Sequence, residues 1–496
     1  MSTPQQPDTG GRPVTEWAEV VFAGDALRTT LSKAVGRGRL RRLATGIYTG
    51  AVMRDPETVV LRNWSQILAH EFPGAVIADR SARKSGPDHG LLTIVHDRRR
   101  PLVLPGLTII PRRGPGALDG DTLFDTGIVL SSQARALLDN ASGQGERYLS
   151  AVDLETWISD IVEQQGEAGL NQVRDRAREL SKATRQISGF DLLNRKISAA
   201  LTTSTDTTLV SPALVARAAG EPFDRRRVEM FEAFVDVLRA TAPEPMPALP
   251  IDAERRRLVP FYEAYFSNYI EGTEFSLDEA AAIVFGHEIP SGRPEDAHDV
   301  LGTYQVVSNE LTMRHTPRDA SDFIALLKER HVQVLGGRPD ARPGRFKDRA
   351  NRAGATSFVD PKLVDPTLRA GFDRASGLID PFSRAAYLMF LVSEVHPFTD
   401  GNGRIARIAM NSELVAAGQV RIIIPTVYRT NYLAALKGAT HNSNFTALIA
   451  VLRFAQEYTA AVDFTSRATA EADLARTNAF RDAQDADDYG VRLILP

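Results

Sequence analysis

The run His396-Pro397-Phe398-Thr399-Asp400-Gly401-Asn402-Gly403-Arg404-Ile405-Ala406-Arg407 gathers a base, a carboxylate, a glycine turn and two cations. Histidine is the side chain most easily poised to accept a hydroxyl proton near neutral pH. Asp-Gly-Asn-Gly is a turn sequence, because Gly and Asn tolerate positive φ, and successive backbone N–H groups there converge into a nest that binds anions. From about Gly403 the apolar residues Ile405, Ile408, Ala409 and Leu414 recur at helical spacing, so the turn feeds a helix N-terminus. The unbonded N–H groups and dipole of that terminus also favour a phosphate. Arg404 and Arg407 share one face of the first turns. Two cations there oppose the macrodipole, and an anion that uses both accounts for them. Asp400, the carboxylate of the stretch, is placed to hold a Mg²⁺ ion that bridges phosphate oxygens.

Two helices must position this chemistry. Residues 381–395, PFSRAAYLMFLVSEV, are an apolar run long enough for a buried helix, with Asp380 as N-cap and Pro381 at the first helical position. Pro397 pushes the residue before it out of the helical region, so this helix stops at or before His396. Far upstream, Leu258, Tyr262, Tyr265, Phe266, Tyr269 and Ile270 recur at helical spacing and define a broad core face. Gly272 is a natural residue just past the end of that helix. Glu271 therefore sits at a helix C-terminus, where the dipole disfavours an anion, and it needs a cationic partner.

HPFTDGNGRIAR resembles the signature of the Fic family, His-Pro-Phe-x-Asp/Asn-Gly-Asn-Gly-Arg-x-x-Arg, at every fixed position. The resemblance implies an all-α core at 251–465 and transfer of AMP from ATP to a Ser, Thr or Tyr hydroxyl of a target protein. It implies that His396 takes the hydroxyl proton and that Asp400 holds Mg²⁺ on the α- and β-phosphates. The backbone of Gly401, Asn402 and Gly403 with Arg404 would cradle the β-phosphate, and Arg407 would meet the γ-phosphate. Ser267-Asn268-Tyr269-Ile270-Glu271-Gly272 resembles the family's inhibitory motif, Ser/Thr-x-x-x-Glu-Gly/Asn. By that resemblance the helix 258–272 is inhibitory and Glu271 pairs with Arg407 where the γ-phosphate would sit. The same Glu orients a water for AMP removal in some relatives. Gly344-Arg345-Phe346-Lys347 to Ser357-Phe358-Val359 resembles the flap over the active site, whose edge can hold an extended target segment. Around 429–440 Tyr432 matches the lining of the nucleobase pocket, while Leu433 and Thr440 depart from it. Two other readings stay open, a DNA-binding toxin–antitoxin-type regulator with a vestigial Fic core and a Doc-like phosphotransferase.

The rest of the chain points to a multidomain α+β protein. Residues 1–13 read as a disordered leader. Residues 28–54 contain Arg28, Lys33, Arg37, Arg39, Arg41, Arg42 and Arg54 and no acid. Val14-Thr15-Glu16-Trp17 opens a helical pattern, Gly24-Asp25-Ala26-Leu27 turns into a second helix, and Gly46-Ile47-Tyr48 is β-like, an order that predicts a winged helix-turn-helix. LSKAVGRGRLRRLATGIYTG resembles the N-terminal domain of AbiEi-type antitoxins, which implies DNA contacts by Arg37, Arg39, Arg41 and Arg42. The other reading of these arginines is a solvated face on a domain that only packs against the chain. Four β-like runs, at 75–77, 91–95, 107–110 and 127–130, predict a small sheet that completes a mixed domain at 14–130. Residues 131–240 read as a charged helical connector, 241–250 as a Pro-rich linker, and 466–496 as an acidic helix and tail outside the core.

The 496 residues carry a net charge of −3, so no global polyelectrolyte partner is implied. The absence of cysteine excludes a disulfide framework and fits a reducing compartment. With no apolar leader core and no stretch of about 18 apolar residues, the sequence predicts a cytoplasmic protein without a membrane partner. A homodimer stays open.

Overall fold

A computed structural model describes residues 17–496 except Asp25, Leu27, Asp125, Thr126, 204–207, Ala242, 249–251 and Ala355, and leaves out the side chains of 485–487. The leader expected at 1–13 lies outside the described residues. Two compact units divide at Gly220 and Glu221.

In the first unit Val21–Phe22, Ile47–Thr49 and Arg41–Ala44 form a three-stranded antiparallel sheet, in that spatial order. Arg28–Gly36 is a helix, and Thr45-Gly46 closes the hairpin with Gly46 at φ +82°. The helix expected to open near Val14 is not seen: Val14–Glu16 lie outside the described residues, and Trp17 and Ala18 have no regular structure. Val20, Val21 and Phe22 are buried, and the last two pair with Tyr48 and Ile47, as suits a β-branched and aromatic run. Among the described residues, one helix rather than two therefore precedes the hairpin.

All four β-like runs between 75 and 130 lie in a second, six-stranded mixed sheet. Its order is Leu102–Leu104, Leu107–Arg112, Leu91–Val95, Val76–Ile77, Val129–Leu130 and Thr122–Leu123. Helices Gln133–Ser142, Ala151–Thr184, Ile187–Ala200 and Pro212–Ala218 belong to the same unit, so no boundary separates a 14–130 domain from a connector.

The connector expected at 131–240 is also too long at its far end. Helix Arg225–Ala240 packs in the second unit, where Phe231 and Phe234 are fully buried against Tyr387 and Phe390. Its charged residues cover one face and hide that aromatic stripe from a compositional reading. The 241–250 stretch is not a free spacer either. Val420 N donates to Met246 O at 2.9 Å and Ala248 N donates to Gly418 O at 2.8 Å, because the extended backbone set by its prolines matches an edge of the core. The tail expected outside the core at 466–496 carries the helices Arg467–Arg476 and Ala483–Tyr489. Leu474, Ala479 and Leu493 are buried, and Phe480 stacks on Phe266 with centroids 5.7 Å apart. In composition the acids around Asp485 outweigh these apolar positions.

At the centre of the second unit, helix Pro381–Val395 is buried on nearly every face and packs along helix Asn402–Ala416. Helix Ala253–Ile270 packs against the second of these, with Glu263 Oε1 accepting from Asn411 Nδ2 at 2.9 Å, and is capped by Asp252 Oδ1, which accepts from Arg255 N at 2.7 Å. Apart from the two-residue flap strands, the described regular structure of this unit is helical.

Candidate active site

His396 closes its helix. Asp380 caps the start, and at the end His396 adopts φ +52°, ψ 59° while its N–H still donates to Val392 O at 2.9 Å. The ring stacks on Phe358 at 3.7 Å and 6°, and its Nδ1 lies 3.3 Å from Ser393 O. A carbonyl only accepts, so Nδ1 carries the proton and Nε2 keeps its lone pair. Burial, opposed by the Ser393 hydrogen bond and helped by the Lys347 charge, lowers the His396 pKa to about 4.

The turn after it is stapled by its own side chains. Asn402 Oδ1 accepts from Phe398 N at 2.8 Å and Asn402 Nδ2 donates to Phe398 O at 2.9 Å. The Asn402 side chain is thus spent on the turn, and only its backbone N–H can meet a nucleotide. Gly401 stands at φ +74°, and a Cβ there would lie 2.7 Å from Leu335 Cδ2. Asp400 Oδ1 accepts from Gly401 N at 2.6 Å, and its carboxylate is half exposed beside the nest.

Both signature arginines are already paired. Arg407 donates from Nε to Ser267 Oγ at 3.0 Å, and from Nη2 to Ser267 O at 2.9 Å and Glu271 Oε1 at 2.7 Å. Burial disfavours its charge, yet Glu271 outweighs that and the guanidinium holds its proton more firmly than usual. Glu271 caps its helix, donating its N–H to Asn268 O at 3.0 Å, and Gly272 follows at φ +89°. A Cβ at Gly403 would lie 2.2 Å from Glu271 Oε1, so the carboxylate rests against the start of the Asn402–Ala416 helix as well as on Arg407.

Arg404, expected to be free for a phosphate, is 3% exposed and bonded to Asp299 Oδ2 at 2.6 Å and Asn268 Oδ1 at 3.2 Å. Asp299 also holds Arg338 Nε at 2.7 Å. The helix-start cations are balanced by two carboxylates of the chain itself, which spacing in the signature could not reveal. Tyr432 lies deep in the unit. It is fully buried with its hydroxyl on Met389 Sδ and beside Arg407, where it braces the arginine. Its neighbours at 429–442 form a helix that turns this residue inward.

Two residues were missed. His331, on helix Ala320–Leu335, is fully buried and stacks on Phe398 at 3.8 Å. Its Nδ1 accepts from Gly344 N at 2.9 Å, which leaves the Nε2–H to donate to Asp400 O at 3.1 Å. Burial holds it neutral. Lys347, also buried, donates to Asn351 Oδ1 at 2.6 Å and reaches Val395 O at 3.4 Å, and burial lowers its pKa to about 8. A histidine on a core helix face and a lysine in a loop look ordinary in sequence, so neither position gave a signal.

The flap is a hairpin of Arg352–Ala353 and Thr356–Ser357, with Gly354 at φ +59° at its turn. Arg227 Nη2 donates to Ser357 O at 2.8 Å, which ties the flap to helix Arg225–Ala240. In the first unit Arg37, Arg39, Arg41 and Arg42 are all exposed, and Arg42 is partly engaged with Thr45 Oγ1 at 2.8 Å. No group of three or more His, Cys, Asp or Glu side chains among the described residues could hold a metal ion by itself. Asp400 remains the carboxylate open to one, provided a ligand supplies the other oxygens. No helix among the described residues is long and apolar enough to cross a membrane.

Comparison with known proteins gives this geometry a setting. Residues 322–414 match the Fic/DOC family. The chain is 29% identical over 210 residues to protein adenylyltransferase fic-1 of Caenorhabditis elegans, covering 40% of each chain. It is 28% identical over 227 residues to protein adenylyltransferase Fic of Drosophila melanogaster, covering 44% of each. The chain thus spans about two fifths of the length of these curated relatives. Among solved structures, Fic-1 (residues 134–508) of C. elegans aligns with 63% of this chain and 96% of that one, at 21% identity and a TM-score of 0.35.

Proposed function

We propose that the second unit transfers AMP from ATP to a hydroxyl of a target protein and that Glu271 holds it in check. The observation that carries this reading is the Glu271 carboxylate seated on Arg407 and against Gly403. A helix start that draws in the chain's own anion is an anion site. Support for the chemistry comes from the complete signature, the 322–414 family match and the adenylyltransferase relatives.

In this mechanism His396 Nε2 takes the proton of the target hydroxyl. The hydroxyl oxygen attacks the α-phosphorus, the bond between the α-phosphorus and the bridging oxygen breaks, and pyrophosphate leaves. The backbone N–H groups of Gly401, Asn402 and Gly403 receive the β-phosphate, and Arg407 turns from Glu271 to the γ-phosphate. Arg404 would have to turn from Asp299 and Asn268 to join those N–H groups at the β-phosphate. Mg²⁺ fits as a cofactor held by Asp400 and nucleotide oxygens, where it would neutralise phosphate charge. Positioning and charge complementarity account for most of the acceleration such a site can supply. In the locked state Glu271 and the γ-phosphate compete for one guanidinium.

His396→Ala tests the transfer. ATP labelled at the α-phosphate should leave no label on protein, while calorimetry still detects ATP binding. Label transfer at the wild-type rate would exclude the mechanism.

A second activity is proposed for the first unit. The exposed Arg37, Arg39 and Arg41 beside a tight hairpin favour contact with nucleic-acid phosphates, as a winged helix makes them.

A further inference from the structure

The flap is closed along one edge and open along the other. Its base is hooked to the signature turn: Lys347 N donates to Pro397 O at 2.9 Å, Asn351 Nδ2 donates to Phe398 O at 3.0 Å, and Phe358 carries the His396 ring. Phe358 N donates to Asn351 O at 3.3 Å, so these two residues form a bonded rung. Bonded and unbonded rungs alternate in an antiparallel ladder, and the next rung, Arg352 with Ser357, therefore turns its N–H and C=O groups outward. On the Ser357 side Arg227 occupies the carbonyl at 2.8 Å, and Thr356 Oγ1 lies 2.9 Å from His441 Nε2. On the Arg352 side no described residue takes the backbone N–H or the carbonyl. An open strand edge is a template for pairing with another chain. The same edge is positive. Residues 345–359 hold the cations Arg345, Lys347, Arg349 and Arg352 and one acid, Asp348, which Arg342 holds at 2.5 Å. The next acid, Asp360, is engaged in capping, accepting from Lys362 N at 2.9 Å. Lys347 is buried, whereas Arg345, Arg349 and Arg352 are exposed and form no ion pair among the described residues. Arg352 Nη2 reaches only Gly354 O, at 3.3 Å.

We propose that the target offers its hydroxyl from an extended acidic segment, which adds as a strand to the Arg352 edge and sets its carboxylates against Arg345, Arg349 and Arg352. Backbone pairing at Arg352 supplies attachment that any sequence satisfies, so choice among targets falls to the side chains. Arg349 is three positions from Arg352, at most about 11 Å along the chain, which keeps both guanidinium groups beside one short stretch of the incoming strand. A guanidinium grips a carboxylate with two parallel hydrogen bonds, so acids are favoured over the matching amides. Unpaired cations also repel a basic segment, which gives the site an exclusion as well as an attraction. This substrate class deepens the AMP-transfer reading and rests on it for the fate of the hydroxyl, while the binding itself does not.

The test is fluorescence anisotropy of the full chain with a short tagged peptide, a central tyrosine flanked by alternating Glu and Thr. The controls carry Gln, or Lys, in place of every Glu. Three exposed ion pairs of ordinary strength should favour the Glu peptide about tenfold over the Gln peptide at low salt. That preference should fade toward about 1 M salt, as screening removes it. Arg349→Glu combined with Arg352→Glu should move the preference to the Lys peptide, and Arg349→Lys combined with Arg352→Lys should keep most of it. Hydrogen exchange at the Arg352 amide should slow when the Glu peptide is saturating. With the Glu271→Gln variant and ATP tagged at the α-phosphate, kcat/KM for the Glu peptide should exceed that for the Gln peptide about tenfold, with the difference in KM. The proposal is overturned if the Glu and Gln peptides bind equally, if no peptide gives saturable anisotropy, or if the double charge reversal leaves the preference unchanged. An Arg352 amide that stays unprotected would overturn the strand placement. Binding needs no chemistry, so anisotropy decides this proposal even if the Glu271→Gln variant fails to label itself, which is the result that would sink AMP transfer.

Discussion

Replacing Glu271 by Gln removes one charge and keeps the shape of the side chain that Arg407 holds at 2.7 Å. Arg407 is 5% exposed and the Glu271 side chain 24% exposed, so the pair is shielded on one side and wet on the other. A charge-assisted hydrogen bond is worth about 1.5–3 kcal/mol when desolvated, and the wet partner argues for the lower half of that range. Taking about 2 kcal/mol, the equilibrium between locked and open states shifts about 30-fold toward open. Self-labelling with ATP tagged at the α-phosphate should rise by that factor, saturating once the open form predominates. Arg407 then lacks its anion in the free protein, so the thermal midpoint should drop without nucleotide and recover when ATP is added. Labelling that stays at the wild-type level while the midpoint falls would refute the reasoning, because the contact would then serve stability alone.

Acidification should leave the His396 base competent well below the usual imidazole range, with the acid limb of kcat/KM near pH 4, because burial lowers its pKa to about 4. The linked stability has a definite sign. The unfolded imidazole takes a proton near pH 6.5 and the folded one near 4, so His396 makes the fold lose stability as pH falls from about 6.5 toward 4. A His396→Ala variant should lose less in that window on chemical denaturation. Gly401→Ala should cost about 2 kcal/mol, from left-handed strain at φ +74° and the 2.7 Å approach to Leu335, read as a lower denaturation midpoint. Duplex DNA affinity should fall steeply with salt, and Arg41→Ala should reduce the log–log slope by about one. A flat salt profile would leave the basic face without a nucleic-acid role.

The reach of the sequence can be followed through individual residues. Pro397 and Gly272 mark helix ends by backbone rules that need no partner, and the residues just before them, His396 and Glu271, cap the two helices. Glu271 at a helix C-terminus demanded a cation, and Arg407 supplies it. Asp299 was invisible because its helix, Pro294–Ser308, gives an acid no reason to be singled out until Arg404 lies 2.6 Å away. The burial of Tyr432 against Met389 and Arg407 was not legible, because a resemblance fixes a position on a helix but not the direction its ring takes. Arg225–Ala240 and Phe480 join the second unit through aromatic contacts across more than a hundred residues, a distance over which hydropathy patterns are mute. The six-stranded sheet was legible as separate runs, while its spatial order was not.

Phe480 against Phe266, with the Tyr269 hydroxyl donating to Asp482 Oδ2 at 3.3 Å, has a practical corollary. Anyone trimming the protein to its second unit would find the end of the Phe445–Ala461 helix an inviting place to stop. That cut discards the ring and the carboxylate that steady the far turn of the Glu271 helix. Under the lock proposed above, a variant shortened there would lose a restraint on Glu271 together with the buried Leu474, Ala479 and Leu493, so extra self-labelling by it would report damage as much as release.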